Sequence, residues 1–317
     1  MSKNLKTTAK EGKKKGILAT LWRYRVLELM CLPAVIYFFL FSYMPMPGIY
    51  VAFVKYNYRK GIFGSKFIGL DNFKFLAESG KLFELTKNTI LYNIAFILLG
   101  NFLAILVAIL LNEMRSKIFK KVSQTLMFLP YFISQVLVGL LVYSLLNYDT
   151  GFINEILTAL GKAKWQPYSN PSVWPVIIVL IHLWQQTGYN SVVYFAAICG
   201  IDAEIIEASK VDGANAFQRI RYIILPSLKP TIVILLLFAL GGIVRGNFGL
   251  FWNVIGSNSV LYPTTDIIET FVYRATMSDF NFSTASAVGF YQSLVGFVIV
   301  MLANLAVKKI DPDYSLF

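Results

Sequence analysis

Six long apolar runs separated by polar stretches dominate this chain: Leu27 to Val54, Ile90 to Leu111, Leu126 to Leu146, Val173 to Cys199, Thr231 to Ile255 and Ala287 to Val307. Each reaches the roughly 20 residues that cross a hydrocarbon core. In lipid every backbone polar group needs a partner within its own segment or in a closed barrel, so the runs predict helices. The expected fold is an all-α integral membrane protein with six transmembrane helices. Pro33, Pro45, Pro47 and Gly48 predict that the first run bends or ends near Met44. No small-residue cleavage site follows a short apolar core there, which argues against a removable signal peptide. The expected layout is a basic tail over residues 1–26, a membrane domain over 27–307 and a short tail over 308–317.

The polar stretches differ in charge. With the N-terminus inside, the inner segments carry 18 lysines and arginines and the outer ones 10. The bias of basic residues toward the cytoplasm therefore predicts that both termini lie inside. The lysine-rich stretch from Lys3 to Lys15 suits anionic lipid headgroups beside a membrane better than nucleic acid.

The longest inner segment, residues 201–230, reads IDAEIIEASKVDGANAFQRIRYIILPSLKP. Asp202 can cap a short helix running to about Asp212, and Gly213 can take the left-handed conformation that closes it. A second short helix is expected next, with Phe217, Ile220 and Ile224 on one face and Gln218, Arg219 and Arg221 facing away. Pro226 and Pro230 are expected to stop that pattern before the next apolar run. Amphipathicity alone would favour an interfacial hairpin that merely joins two spans.

Composition excludes a soluble domain: 56% of residues are hydrophobic and 15% charged, with a mean hydropathy of +0.61. Cys31 and Cys199 both lie in apolar runs without metal-ligand spacing, so they read as packing residues. There is no GxxxxGK[ST] phosphate loop and no HExxH, and His182 is the single histidine. Energy for any transport must therefore come from elsewhere. A secondary transporter would ordinarily carry an acidic residue within a span, and the apolar runs hold none in their cores. A membrane enzyme would need more than one isolated histidine.

Within residues 201–230, Glu207, Ala208 and Ser209 are followed by Gly213, then by Ile223, Leu225 and Pro226. This spacing resembles the EAA loop of binding-protein-dependent ABC importer permeases, with Ser209 standing in the third place of the motif. The stretch GIFGSKFIGLDNFKF from Gly61 resembles the segment after the first span in permeases that import sugars and oligosaccharides. Leu129 and Pro130 with Ile133 and Ser134, the run WQQTGYNSVVY from Trp184, and the Asp-Pro-Asp-Tyr ending at Tyr314 are similar to the branch handling complex oligosaccharides.

The resemblance implies a type I ABC importer in the bacterial plasma membrane. This chain would be a multi-pass, non-enzymatic subunit beside a second, different permease chain. An ATPase dimer would sit below and an extracellular solute-binding protein above. ATP and magnesium would be bound by the ATPase, and this chain would bind no cofactor. The resemblance assigns ATPase coupling to Glu207, Ala208, Ser209, Asp212, Gly213, Leu225 and Pro226.

Pathway candidates follow from polar groups that are costly to bury in a membrane. The fourth run carries His182, Gln185, Gln186, Tyr189 and Asn190, and the fifth carries Arg245 and Asn247 beyond Gly241 and Gly242. His182 and Arg245 each lie about ten residues from the outer end of their run, so at roughly 1.5 Å per residue they share a depth. They could line one cavity. Matching positions in related sugar permeases add Trp184 and the stretch from Gly241 to Phe248. Gln185 and Gln186 point about 100° apart on a helix, so at most one is expected to face a cavity. A cation at the depth of Arg245 needs a carboxylate partner, backbone carbonyls, water or an anionic ligand; the partner permease could supply a carboxylate, and an acidic sugar such as a uronate-containing oligosaccharide would be such a ligand.

Overall fold

The computed structural model describes residues 17–310. The stretch from Lys3 to Lys15 and the tail from Asp311 through Tyr314 lie outside them. The chain divides into two compact units, Met1–Tyr50 and Val51–Phe317. In the first, α1 (Ile17–Phe38) continues through Pro33 into a π turn at Phe39–Tyr43. Wide helical turns stop at Met44, before Pro45, and the chain goes on as a 3₁₀ stretch, Met46–Phe53. Every residue from Tyr24 to Phe38 is exposed, and from Leu29 onward the stretch carries no charge, which suits a helix whose solvent is lipid.

The second unit opens with a small antiparallel pair, β1 (Val54–Asn57) and β2 (Ser65–Phe67), in which Val54 faces Phe67. A short helix, α2 (Asp71–Glu78), leads into α3 (Lys81–Glu113). At 33 residues α3 is about 50 Å long, well beyond the roughly 30 Å hydrocarbon core. Its most extensive partner is α7 (Trp174–Cys199). Gly100, Ala104 and Ala108 recur every fourth residue along α3, and such small side chains let two helices approach closely without a hydrophobic force between them. Ala104 and Ala108 pack there with Tyr194 and Ile198, and the Tyr194 hydroxyl donates to the Asn101 side-chain oxygen.

Two of the predicted spans are not continuous helices. The run from Leu126 to Leu146 divides between α4 (Lys117–Phe128), extended by a 3₁₀ turn over Leu129–Phe132, and α5 (Gln135–Leu146), with a bend of 96° between them. Pro130 removes a backbone donor, and the Ser134 hydroxyl accepts from the Leu137 N–H to start a new helix. A short helix, α6 (Phe152–Ala159), follows before α7. Residues 201–230 begin with α8 (Ala203–Val211), after which helical turns run unbroken through α9 (Ala216–Gly241). The run from Thr231 to Ile255 is then interrupted at residues 242–247 and resumes as α10 (Phe248–Ile255). The chain closes with α11 (Ile268–Met277) and α12 (Phe282–Ile310).

Among the described residues four helical stretches are long and apolar enough to cross a membrane: Tyr24–Phe53, α3, α9 and α12, the last as Phe282–Lys309. The bent pair of α4 and α5 makes a fifth if counted as one span. At 26 residues α7 has the length, but its polar residues between Gln185 and Asn190 set it apart from the apolar four. Six separate spans therefore exceed what length and apolarity identify in the structure.

Candidate functional site

The interruption at residues 242–247 positions the first site. Gly242 ends α9, and the Asn247 side chain accepts from the Leu250 N–H to start α10. Between them the backbone is unwound, so its polar groups need partners from elsewhere. Asn93 of α3 donates to the carbonyls of Ile243 (2.9 Å) and Arg245 (3.0 Å). Gln292 of α12 donates to Val244 O (2.7 Å). The Gly246 N–H donates to a carboxylate oxygen of Glu269, in the first turn of α11, at 2.6 Å. A Cβ at Gly246 would meet the ends of the Ile267 and Glu269 side chains, so any larger residue there must displace them.

Beside this break lies a cavity of about 310 Å³ whose polar lining includes Asn93, Asn101, His182, Asn190, Arg245 and Asn247. The structure thus brings His182 and Arg245 to one cavity. His182 stacks on Phe96 with ring centroids 3.8 Å apart and planes 15° apart, and its Nδ1 is buried without a hydrogen-bond partner. The Arg245 residue is exposed, and among the described residues no carboxylate lies within ion-pair distance of it.

Other sequence candidates stand apart from this cavity. Gln185 is buried, accepting from Gln135 Nε2 (3.0 Å) and donating to Ile133 O (2.9 Å). It therefore holds α7 against the elbow between α4 and α5, while Gln186 is half-buried. Trp184 lines a different, almost wholly apolar groove of about 420 Å³ with Leu141, Leu145, Trp165 and Leu180. One helix cannot turn adjacent positions to the same side. Tyr189 is 41% exposed and stacks on Tyr131 at 4.2 Å. Phe248 packs on Trp252 and Tyr273, and Gly242 serves as the cap of α9. Sequence reasoning missed Asn93, Asn101, Gln292 and Glu269. The two asparagines were visible as polar interruptions of the second run. Glu269 had no such signal, because it lies in the polar segment after the fifth run and folds back to the break.

The second site is the hairpin of α8 and the start of α9. Asp202 caps α8 by accepting from the Glu204 N–H at 2.9 Å. Gly213 has φ +79°, and the N–H groups of Gly213 and Ala214 donate to Lys210 O and Ser209 O, closing the helix with a Schellman motif. Asn215 and Gln218 cap the start of α9 reciprocally. Glu207, Ala208, Asp212 and Gly213 are exposed, whereas Ser209 is half-buried and donates to Ile206 O.

Two local expectations fail. Pro226 and Pro230 do not stop the helix: a π stretch at Ile220–Ile224 precedes Pro226, and α9 continues to Gly241. A wider turn and packing within a bundle accommodate the missing donors. Leu225 and Pro226 consequently lie along α9, about two and a half turns beyond its start. The proposed apolar face also divides, since Ile224 is buried while Phe217 is 70% exposed. Arg219 does not simply face away: it donates to Ala214 O and pairs with Glu113 at the end of α3 (3.3 Å). The exposed Tyr222 lines a cleft of about 310 Å³ with Asp212, Gly213, Gln218 and Arg219, and Val211 and Phe217 are exposed as well.

Long apolar helices around a polar cavity beside a broken helix, with a firm polar hairpin at one end, define a membrane permease. The chain belongs to the family of binding-protein-dependent transport system inner membrane components, which its residues 100–314 match. It is 37% identical over 304 residues to the polygalacturonan/rhamnogalacturonan transport system permease protein YteP of Bacillus subtilis (strain 168), covering 96% of this chain and 94% of that one. It is 32% identical to Protein LplB of the same organism, covering 94% of each. Among solved structures, a chain of a bacterial alginate ABC transporter, in complex with an alginate pentasaccharide-bound periplasmic protein, matches with a TM-score of 0.84. The identity there is 33%, covering 93% of this chain and 98% of that one. The fold is therefore that of a type I ABC permease.

Proposed function

We propose that this chain is a permease subunit of an ATP-driven, binding-protein-dependent importer of oligosaccharides, with acidic ones preferred. It forms half of the pathway in a bacterial plasma membrane, with both termini in the cytoplasm and a second, different permease chain beside it. The hairpin around Glu207 and Gly213 docks on an ATPase dimer that binds the ATP and magnesium, and an extracellular solute-binding protein delivers the sugar. Closure of the ATPases moves the hairpin and rocks the helices around the central cavity. The observation that carries the choice of substrate is Arg245: an exposed cation at the break of a membrane helix, beside a polar cavity, without an ion-pair partner among the described residues. The polygalacturonan/rhamnogalacturonan and alginate systems among its relatives fit a cation at that place.

The test is uptake into proteoliposomes holding the full complex and its binding protein. Hydrogen bonds to charged groups contribute about 1.5–3 kcal/mol, so Arg245→Gln is expected to lower acidic oligosaccharide uptake roughly tenfold or more relative to neutral. Equal loss for both classes would assign Arg245 a structural role.

A further inference from the structure

Glu269 is the acidic group nearest the unwound stretch, and its bonding is lopsided. One oxygen accepts from both the Gly246 N–H and Gln292 Nε2, each at 2.6 Å. The other oxygen is buried and has no hydrogen-bond partner. Gln292 also holds Val244 O at 2.7 Å, so Glu269 and Gln292 together clamp the two residues that flank Arg245. Standard peptide geometry then places the bonded carboxylate oxygen within about 5 Å of the Arg245 Cα. Asn93 of α3 holds the same stretch through the carbonyls of Ile243 and Arg245. Glu269 is half-buried, and a single carboxylate oxygen accepts both bonds, so one atom ties the break to Gln292 of α12.

We infer that Glu269 is a positioning residue for Arg245: by holding the Gly246 N–H and Gln292, it sets the conformation of residues 243–246 that presents the Arg245 side chain to the cavity. This rests on the reading of Arg245 as a pathway residue. It adds that the presentation depends on α11 and α12, which are remote in sequence from the break.

The experiment reads the position of residue 245 directly, without substrate. In the full importer complex in membranes, Cys31→Ser and Cys199→Ser remove the free thiols and Arg245→Cys introduces one. Its rate of modification by a charged, membrane-impermeant methanethiosulfonate reagent is then measured. Glu269→Ala removes a charge-assisted hydrogen bond and is expected to change that rate roughly tenfold. Glu269→Gln keeps an oxygen acceptor and is expected to stay within about twofold of the parent. A parallel protein retaining Cys199 alone reports general loosening of the bundle. The inference is overturned if Glu269→Ala leaves the rate at 245 unchanged, if Glu269→Gln behaves like Glu269→Ala, or if Cys199 changes to the same extent. Uptake by Arg245→Gln is a separate measurement: an unchanged acidic-to-neutral ratio there, with a shifted labelling rate here, would defeat the pathway reading and leave the clamp standing.

Discussion

Substitution of Gly213 isolates the conformation of the hairpin from its packing. With φ at +79° the residue lies in the left-handed region, and no heavy atom stands within 4 Å of where a Cβ would be. A side chain there meets open space, so the cost is that of the backbone conformation alone. For a residue with a Cβ this is about 1–2 kcal/mol. Such a cost shifts the balance between formed and unformed caps by a factor of about 5–30. Little else holds this end: α8 is nine residues long and buries none of them. Its last carbonyls are satisfied through Gly213 N–H to Lys210 O (3.1 Å) and Ala214 N–H to Ser209 O (2.9 Å). The membrane bundle should be indifferent, since its three buried clusters include no residue of α8. The expected outcome for Gly213→Val is normal insertion, with ATP hydrolysis stimulated by loaded binding protein reduced about fivefold or more. Gly213→Asn should retain most of the stimulation, because asparagine tolerates the left-handed conformation. Full stimulation in Gly213→Val would refute the reasoning. Equal damage from asparagine would point to bulk at a contact rather than to strain.

Two further outcomes test the packing. The Asp266 side chain is fully buried, pairs with Arg274 (2.7 Å) and Lys81 (3.0 Å), and accepts from the Thr270 hydroxyl (2.8 Å). Asp266→Ala leaves both cations without that partner and is expected to cost about 3–5 kcal/mol, seen as a lowered Tm of the detergent-solubilised complex; a loss below about 1 kcal/mol would mean that water compensates them. Tyr194→Phe removes the bond from α7 to Asn101 of α3. Interhelical bonds of this kind average about 0.6 kcal/mol, so unfolding in mixed micelles should shift only slightly, and a loss of several kcal/mol would contradict the account.

The hairpin was legible because its determinants are local. Asp202 and Gly213 act on backbone groups within a few residues of themselves, so spacing alone identified the cap and the turn. That His182 and Arg245 could line one cavity was also legible, from residue counts along two apolar runs. Which neighbours join them was not. Gln185 and Trp184 lie within three residues of His182, yet one is committed to Gln135 and Ile133 and the other to an apolar groove.

By itself, then, the sequence determined that the chain lives in lipid, where its apolar runs lie and where its hairpin turns. These are properties of transfer free energy and local backbone chemistry, summed residue by residue. The tertiary structure alone decided that the fifth run breaks, how sharply the third bends after Pro130, and which side chains surround the break at 242–247. The side chains of an apolar run contribute the same transfer energy whether the run is straight or interrupted; the backbone groups freed by a break do not, and they need partners. The interruption at 242–247 survives because partners as distant in sequence as Asn93 satisfy its backbone, and no pattern within the run encodes a partner 150 residues away.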